Sequence, residues 1–235
     1  MNHTADMPPL VVDIDGTLTD RNRVVDSRVF DALRKWPAPV VVATGKALPY
    51  PVALCEFLGL PTIVIAENGG VVCLATETVE EFVVAGDREG AANVVETYRE
   101  TGYELGWGSL DLINRWRETE VAVSRDSPLE SLEEIAADHG LCVVDTGFAY
   151  HVKSPDVDKG GGLEIVADRL GYTPEEFVAV GDSENDASTF RVVGDSFAVA
   201  NADETAKRDA NHVTDATYAD GFLEALRRIQ SDVDE

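Results

Sequence analysis

The chain has 235 residues, of which 44% are hydrophobic and 27% are charged, and its formal net charge is -25. This length suits one large domain or a domain that carries an insert, and the composition excludes wholesale disorder. So negative a chain disfavours nucleic acid and anionic membranes as partners, because both are polyanions.

Acidic residues outnumber basic residues by 44 to 19 and are spread along the whole chain. One interpretation is simply an acidic soluble protein. The sharper interpretation is a halophilic protein adapted to very high salt, where screening removes the repulsion among the acidic groups.

The three cysteines, Cys55, Cys73 and Cys142, show no CxxC spacing, so the sequence indicates neither a zinc site nor a disulfide framework. A reduced compartment fits them best. No apolar run approaches the 18 residues of a membrane span, and Met1 to Pro9 lacks a signal-peptide pattern. We therefore expect a cytoplasmic protein, and either a monomer or a homodimer.

Short apolar runs alternate with helical patterns in the first third of the chain. The run at 10–15 ends in Asp13 and Asp15 and predicts a buried parallel strand that stops at the turn Gly16-Thr17. The other elements predicted in this third are helix 26–36, strand 40–43, helix 51–58 and strand 62–66.

The pattern changes between residues 80 and 154. Its strands alternate polar and apolar residues, and two acidic amphipathic helices are predicted at 87–101 and 128–139. Such alternation is typical of an antiparallel sheet with one face in water. We therefore expect an inserted small α+β cap domain over 80–154, between two parts of a core domain, 1–79 and 155–235.

Buried strands return after the insert. The elements predicted there are helix 162–170, strand 177–180, helix 184–193, strand 197–200 and helix 221–229. Together with the first third, they predict an α/β core with a doubly wound parallel sheet.

Polar side chains follow four of the predicted strands: Asp13 with Asp15, Thr44, Asn68 and Asp182. In an open parallel sheet the ligand site lies outside the carboxyl ends of the strands. All four strand ends should therefore converge on one crevice.

Asp13 and Asp15 point to the same side of an extended chain, and two such carboxylates repel each other unless a cation neutralises them. Mg²⁺, which prefers oxygen ligands, is the natural choice. Asp182 and Asp186 can complete the acidic cluster. The turn at Gly45 would let backbone N–H groups approach a phosphate.

Four motifs resemble those of the haloacid dehalogenase-like phosphatases, in their order, spacing and placement at strand ends. The motifs are Asp13-Ile14-Asp15-Gly16-Thr17, Thr44-Gly45, Lys159, and Gly181-Asp182-Ser183-Glu184-Asn185-Asp186. The insert lies between the second and third motifs, which resembles the type 2 cap of the Cof-like branch. The resemblance covers nearly the whole core and implies the Rossmannoid fold of that family.

The resemblance also implies a role for each matched residue. Asp13 would be the nucleophile that forms an aspartyl-phosphate, and Asp15 would protonate the leaving group and later activate water. Thr44, Gly45 and Lys159 would hold the phosphoryl group. The implied ligands of Mg²⁺ are Asp13, Asp15 through its carbonyl oxygen, Asp182 and Asp186.

Alternatives stay open at three of these positions. Lys153 is six residues from Lys159 and could compete for its role. Thr44 could be a simple helix N-cap. Asp186 could order a metal ligand instead of binding the ion.

Other polar residues are expected to lie outside the chemistry. Glu67 is expected on the solvated surface, and His151 is expected to be structural or exposed. Asn68 and Asn201 resemble polar positions that line such sites, but a turn role is equally consistent with them.

The insert also resembles the small cap of archaeal-type phosphoglycolate phosphatases. The implied function is hydrolysis of a small phosphorylated metabolite, with 2-phosphoglycolate as the leading substrate. A sugar phosphate or another small phosphomonoester is the alternative. A noncatalytic Mg²⁺-binding phospho-acceptor domain is a remote alternative, and the second aspartate at position 15 argues against it.

The charge of the chain generates a first prediction. We expect the Tm to rise as KCl is raised to molar concentration, where the Debye length is about 3 Å and the acidic groups no longer repel each other. Thermal unfolding followed by circular dichroism along a KCl series measures this. A protein that is most stable at low salt would contradict the salt adaptation.

Overall fold

The structure is a computed structural model that describes residues 7–234. Residues 1–6, which include most of the segment judged to lack a signal peptide, lie outside the described part. The strands are β1 Leu10–Val12, β2 Val40–Ala43, β3 Thr62–Ala66, β4 Val71–Ala75, β5 Glu80–Val84, β6 Val121–Ser124, β7 Cys142–Asp145, β8 Ala149–Lys153, β9 Val178–Gly181, β10 Asp195–Ala198 and β11 His212–Val213. The helices are α1 Ser27–Arg34, α2 Pro49–Leu58, α3 Arg88–Glu100, α4 Leu129–Asp138, α5 Lys159–Leu170, α6 Ala187–Val192, α7 Glu204–Asp209 and α8 Tyr218–Asp234.

Eight strands form one large sheet in the order β11-β10-β9-β1-β2-β3-β4-β5. The first six are parallel, and β4 and β5 extend the sheet as antiparallel strands. Strand β1 lies inside the sheet, with β9 on one side and β2 on the other, so the strand order reverses at β1. A ligand crevice is therefore expected at its carboxyl end. The predicted α/β fold is confirmed.

Alternate residues of β1 enter two different cores. Leu10 and Val12 pack with residues of α1 and α8, such as Leu33 and Phe222. Val11 packs on the opposite face with residues of α5 and α6. This period of two, with both faces apolar, explains why the strand is a continuous hydrophobic run.

Three short elements are missing from the sequence prediction, namely β4, α7 and β11. Helix α7 has six residues and β11 has two, which is too short for periodicity to detect. Strand β10 lies two residues before the predicted 197–200. Helix α5 begins at Lys159, three residues before the predicted 162, because Asp158 accepts a hydrogen bond from the Gly161 N–H and caps the helix.

A second sheet, β6-β8-β7, is antiparallel and lies within the predicted insert. Helices α3 and α4 cover one face with a separate core that includes Tyr98 and Leu132. The opposite face was expected in water, and this expectation is wrong. Ala122 and His151 on that face are buried, and His151 lines a cavity together with Thr44 of the large sheet.

Strand β5 falls inside the predicted insert but pairs with β4 in the large sheet. The division into a core of 1–79 and 155–235 and a cap of 80–154 stays a prediction. We propose that the first boundary lies after Val84, because the hairpin of β4 and β5 continues the large sheet.

Helix α5 packs closely on β3 at Gly162. A Cβ atom there would lie 2.6 Å from the Ile65 Cγ2, whereas a Cβ at Gly161 would meet nothing nearer than 3.7 Å.

We expect Gly162→Ala to lower the free energy of unfolding by about 1–3 kcal/mol, since the buried, branched Ile65 side chain has no room to move. Gly161→Ala should raise it by about 0.5–1 kcal/mol through its better helix propensity. Urea unfolding of both variants checks this, and equal effects would contradict it.

Candidate active site

Three carboxylates meet at the carboxyl end of β1 and β9. Asp13, Asp182 and Asp186 each offer an oxygen, and these oxygens lie within 4.8 Å of one another. The Asp13 N–H donates to the Val180 carbonyl oxygen at 3.1 Å, which fixes the end of β1 beside the end of β9. The predicted convergence of Asp13 with Asp182 and Asp186 is therefore present in the structure.

Lys159 lies between two of these carboxylates. Its Nζ is 2.8 Å from Asp13 Oδ1 and 2.7 Å from Asp186 Oδ1, and the side chain is completely buried. Burial alone lowers the pKa of Lys159, but Asp13 and Asp186 outweigh burial and raise that pKa above its usual value. Lys159 is therefore a permanent cation inside the cluster.

One lysine does not neutralise three carboxylates. Burial raises the pKa of Asp13 to about 7, with Asp186 and Asp15 adding to the rise and Lys159 opposing it. Burial and the neighbours Asp13 and Asp186 raise the pKa of Asp182 well above its usual value. A buried set of oxygen donors with excess negative charge fits a hard divalent cation.

Gly16 allows the first turn to approach Asp182. Its φ is +83°, and a Cβ atom there would lie 2.0 Å from Asp182 Oδ2, so only glycine fits. The Thr17 hydroxyl donates to Asp182 Oδ1 at 3.2 Å. Asn201 follows β10, and its side-chain amide donates to the Gly16 carbonyl oxygen at 3.0 Å, which supports the turn.

The two remaining aspartates have different surroundings. Asp186 Oδ2 accepts hydrogen bonds from the N–H groups of Asp182 and Ser183, while its Oδ1 faces Lys159. Both of its oxygens are thus engaged, which favours ordering of the site over direct metal binding. Asp15 Oδ2 lies 2.9 Å from Lys46 Nζ. Lys46 directly follows the Thr44-Gly45 motif, and the sequence analysis missed it.

Thr44 and Gly45 line a cavity of about 40 Å³ beside Asp13 and Asp15. A single water needs roughly 10–15 Å³, so the cavity suits a small ligand. The N-cap of α2 is Leu48, so Thr44 does not cap that helix. Its Oγ1 accepts from the Lys46 N–H at 3.1 Å and so fixes the turn that lines the cavity.

The hydrogen bonds of Lys153 and Lys159 show which of the two lysines contacts the carboxylates. Lys153 is buried, but its Nζ donates to the backbone carbonyl oxygens of Ser154 and Val157. Lys159, not Lys153, contacts the carboxylate cluster.

Glu67 is not on the surface, and the expectation that it is solvated is wrong. It is completely buried, and its carboxylate accepts from the N–H groups of Glu118 and Thr119 and from the Thr119 hydroxyl. Burial and the charge of Glu120 raise its pKa despite those bonds. The anchoring of Glu67 joins the end of β3 to the segment that precedes β6.

A chain of hydrogen bonds runs from the carboxylate cluster to the insert. Lys159 Nζ donates to Asn185 Oδ1 at 3.3 Å, and Asn185 Nδ2 donates to Asn68 Oδ1 at 2.9 Å. Asn68 Nδ2 then donates to Glu120 Oε2 at 2.9 Å. Asn68 therefore connects the carboxylate cluster to the insert, and its φ of 55° also agrees with the turn role that the sequence left open.

Glu120 pairs with two further residues of the insert that the sequence analysis did not assign to the site. His151 Nδ1 is 2.6 Å from Glu120 Oε1, and Arg117 Nη1 binds the same oxygen and the Gly45 carbonyl oxygen. Burial raises the pKa of Glu120, but His151, Arg117 and Asn68 outweigh burial and lower that pKa to about 2. The only sequence signal was His151 alternating with apolar residues along β8.

The family model of the haloacid dehalogenase-like hydrolases matches residues 10–104 and 121–226, and the chain belongs to this family. A protein from Haloarcula marismortui named phosphoglycolate phosphatase is 61% identical over 222 residues, which are 94% of this chain and 97% of that protein. A protein of the same name from Archaeoglobus fulgidus is 42% identical and aligns over 93% of this chain and 95% of its own. 

The crystal structure of Thermoplasma acidophilum 0175 superposes with a TM-score of 0.83 at 23% identity and covers 95% of this chain and 98% of its own. It shows the same fold.

Similar proteins also come from Halobacterium salinarum, at 56% identity, and such halophilic sources agree with the predicted adaptation to salt. No helix within residues 7–234 is long and apolar enough to cross a membrane.

The position of Lys159 predicts an energetic coupling. We expect Lys159→Met to lower the free energy of unfolding by about 3–5 kcal/mol in the presence of a chelator, because it leaves buried carboxylates unpaired. Adding Asp13→Asn should recover part of that loss, since it removes one of the charges.

Lys153→Met is the matched control, because Lys153 is also buried but bonds to backbone carbonyl oxygens. Its effect should add to that of Asp13→Asn without coupling. Urea unfolding of the single and double variants measures both cycles. Coupling of Lys153, and not Lys159, to Asp13 would contradict the assignment.

Proposed function

We propose that this chain is a Mg²⁺-dependent phosphatase that hydrolyses a small phosphomonoester through an aspartyl-phosphate on Asp13, and that 2-phosphoglycolate is its substrate. The observation that carries the proposal is the buried contact between Lys159 and Asp13 beside Asp182 at the end of β1. The names of the relatives support the substrate, since two of them align with over nine-tenths of this chain.

Asp13 begins the reaction. Its carboxylate oxygen attacks phosphorus, a bond forms between Asp13 Oδ and phosphorus, and the bond from phosphorus to the ester oxygen breaks. Asp15 gives its proton to the leaving alkoxide and then takes a proton from the water that attacks the aspartyl-phosphate. Such acid–base assistance contributes about 10²–10⁴-fold. Inorganic phosphate leaves, and Asp13 is regenerated as a carboxylate.

Three other groups position the phosphoryl group and offset its charge. Lys159 Nζ, the Thr44 hydroxyl and the Gly45 N–H would donate to the equatorial oxygens. Asp13, Asp182 and the Asp15 carbonyl oxygen would hold Mg²⁺, and Asp186 orders Asp182 and Lys159. The ion supplies positive charge that lets Asp13 stay ionised beside the phosphate.

Two alternatives remain for the activity. A sugar phosphate or another small metabolite would use the same groups on the core. Only the size of the cavity would then discriminate between such a substrate and 2-phosphoglycolate. A noncatalytic phospho-acceptor needs neither Asp15 nor an enclosed cavity, and both are present here.

A substrate panel tests the proposal. In Mg²⁺ and high salt, we expect 2-phosphoglycolate to be hydrolysed faster than glucose 6-phosphate, phosphoserine or a disaccharide phosphate, since the cavity is small. Asp13→Asn should abolish phosphate release while circular dichroism shows an unchanged fold, because an amide cannot attack phosphorus. Release of phosphate by the folded variant would contradict the nucleophile, and stable labelling of Asp13 without release would favour the phospho-acceptor.

The metal gives a separate prediction. Chelator should abolish activity and lower the Tm, Mg²⁺ should restore both, and Ca²⁺ should restore activity poorly because it takes more ligands at longer distances. Asp182→Asn should abolish the rise in Tm with Mg²⁺. Asp168→Asn, on the exposed outer face of α5, is the control and should keep that rise. Undiminished hydrolysis in excess chelator would remove the metal from the reaction.

A further inference from the structure

The insert contributes two basic side chains to the wall of the cavity that holds Asp13. Arg117 precedes β6, and His151 lies on the face of β8 that is turned away from α3 and α4. Arg117 is 7% exposed and His151 is 1% exposed. The mechanism proposed above uses neither of them.

Each of these side chains keeps one buried nitrogen without a hydrogen-bond partner within residues 7–234. The atoms are Arg117 Nε and His151 Nε2. Buried polar groups normally have hydrogen-bond partners, because an unsatisfied one loses its bonds to water without replacement. Both side chains line the same cavity, so a ligand bound there could supply the missing partners.

Glu120 fixes the orientation of both groups. Its ionised carboxylate can only accept hydrogen bonds, so His151 Nδ1 carries the hydrogen in their 2.6 Å contact, and Nε2 is left facing elsewhere. When both ring nitrogens carry hydrogen, Nε2 also donates. Arg117 is anchored through Nη1 to the same carboxylate and to the Gly45 carbonyl oxygen, which leaves Nε free.

The charges in this part of the cavity favour a monoanion. Glu120 offsets the charge of Arg117, so an imidazolium at His151 would leave one positive charge in excess. Lys46 is the other cation that lines the cavity, and it already pairs with Asp15. A planar carboxylate offers two oxygens, one for each unpartnered nitrogen.

We propose that Arg117 and His151 form a carboxylate subsite, which selects phosphate esters that carry a carboxylate a few atoms from the phosphorus. The proposal rests on the proposed function, because it places the phosphate against Asp13 and Thr44, which line the same cavity. The small volume of the cavity limits the spacing between the two anionic groups. Arg117 and His151 act as specificity determinants and take no part in the transfer of the phosphoryl group.

Two inert phosphonates test the subsite without relying on turnover. 3-Phosphonopropionate has the carboxylate of 2-phosphoglycolate with the ester oxygen replaced by a methylene group, and propylphosphonate has a methyl group in place of the carboxylate. Calorimetric titration in Mg²⁺ and high salt gives both affinities. We expect the wild-type protein to bind 3-phosphonopropionate about tenfold to a hundredfold more tightly, as two charge-assisted hydrogen bonds allow.

Two variants assign that preference to residues. His151→Asn keeps a donor near the position of Nδ1 for Glu120 but removes Nε2, and Arg117→Lys keeps the charge but loses the planar fork. Each should lower the affinity for 3-phosphonopropionate about tenfold and leave that for propylphosphonate unchanged. His139→Asn and Arg125→Gln, at exposed positions of the same insert, should keep the full preference.

Hydrolysis of 2-phosphoglycolate and ethyl phosphate separates the two proposals. If wild-type protein binds 3-phosphonopropionate selectively but hydrolyses neither ester, the proposed function fails and the subsite stands. If the two phosphonates bind equally well, or if the preference survives in both variants, the subsite is overturned whatever the activity. If one variant does not fold, the other variant and the affinities of the wild-type protein for the two phosphonates still test the subsite.

Discussion

The excess of buried negative charge at the end of β1 is the constraint on which the rest of the structure depends. Burial raises the pKa of Asp13 to about 7, Asp186 and Asp15 add to the rise, and the buried Lys159 opposes it. The fold tolerates this because backbone N–H groups bind Asp186 and the Gly16 turn closes on Asp182. The cluster therefore has an excess of negative charge, which a bound divalent cation would neutralise.

A second polar system lies in the insert, and it differs from the carboxylate cluster in the groups that it leaves without partners. Arg117, Glu120 and His151 are as deeply buried as the carboxylates, but their unpartnered groups are nitrogen atoms. Asn68 and Asn185 connect this system to Lys159 through neutral amides. An acidic end that takes a cation and a basic end that takes an anion would together give a short ligand with two anionic groups one orientation in the cavity.

The sequence was sufficient for the core and its motifs, because a strand buried on both faces leaves a continuous apolar run and the polar residues come directly after it. Asp13, Asp182 and Lys159 meet as predicted. Glu67 was misread because its burial depends on the insert lying over the crevice, and the residues around Glu67 in the sequence do not reveal that cover. The short β11 and α7 leave too few residues for a period to be recognised.

The turn after β3 has three successive residues with positive φ: Glu67 at 51°, Asn68 at 55° and Gly69 at 101°. For the two residues that are not glycine, such a conformation costs about 1–3 kcal/mol each. Their side chains bind Thr119 and Glu120, so the contacts that hold the insert in place also hold the turn in its strained form. A change that removed these contacts would therefore free the turn as well as the insert.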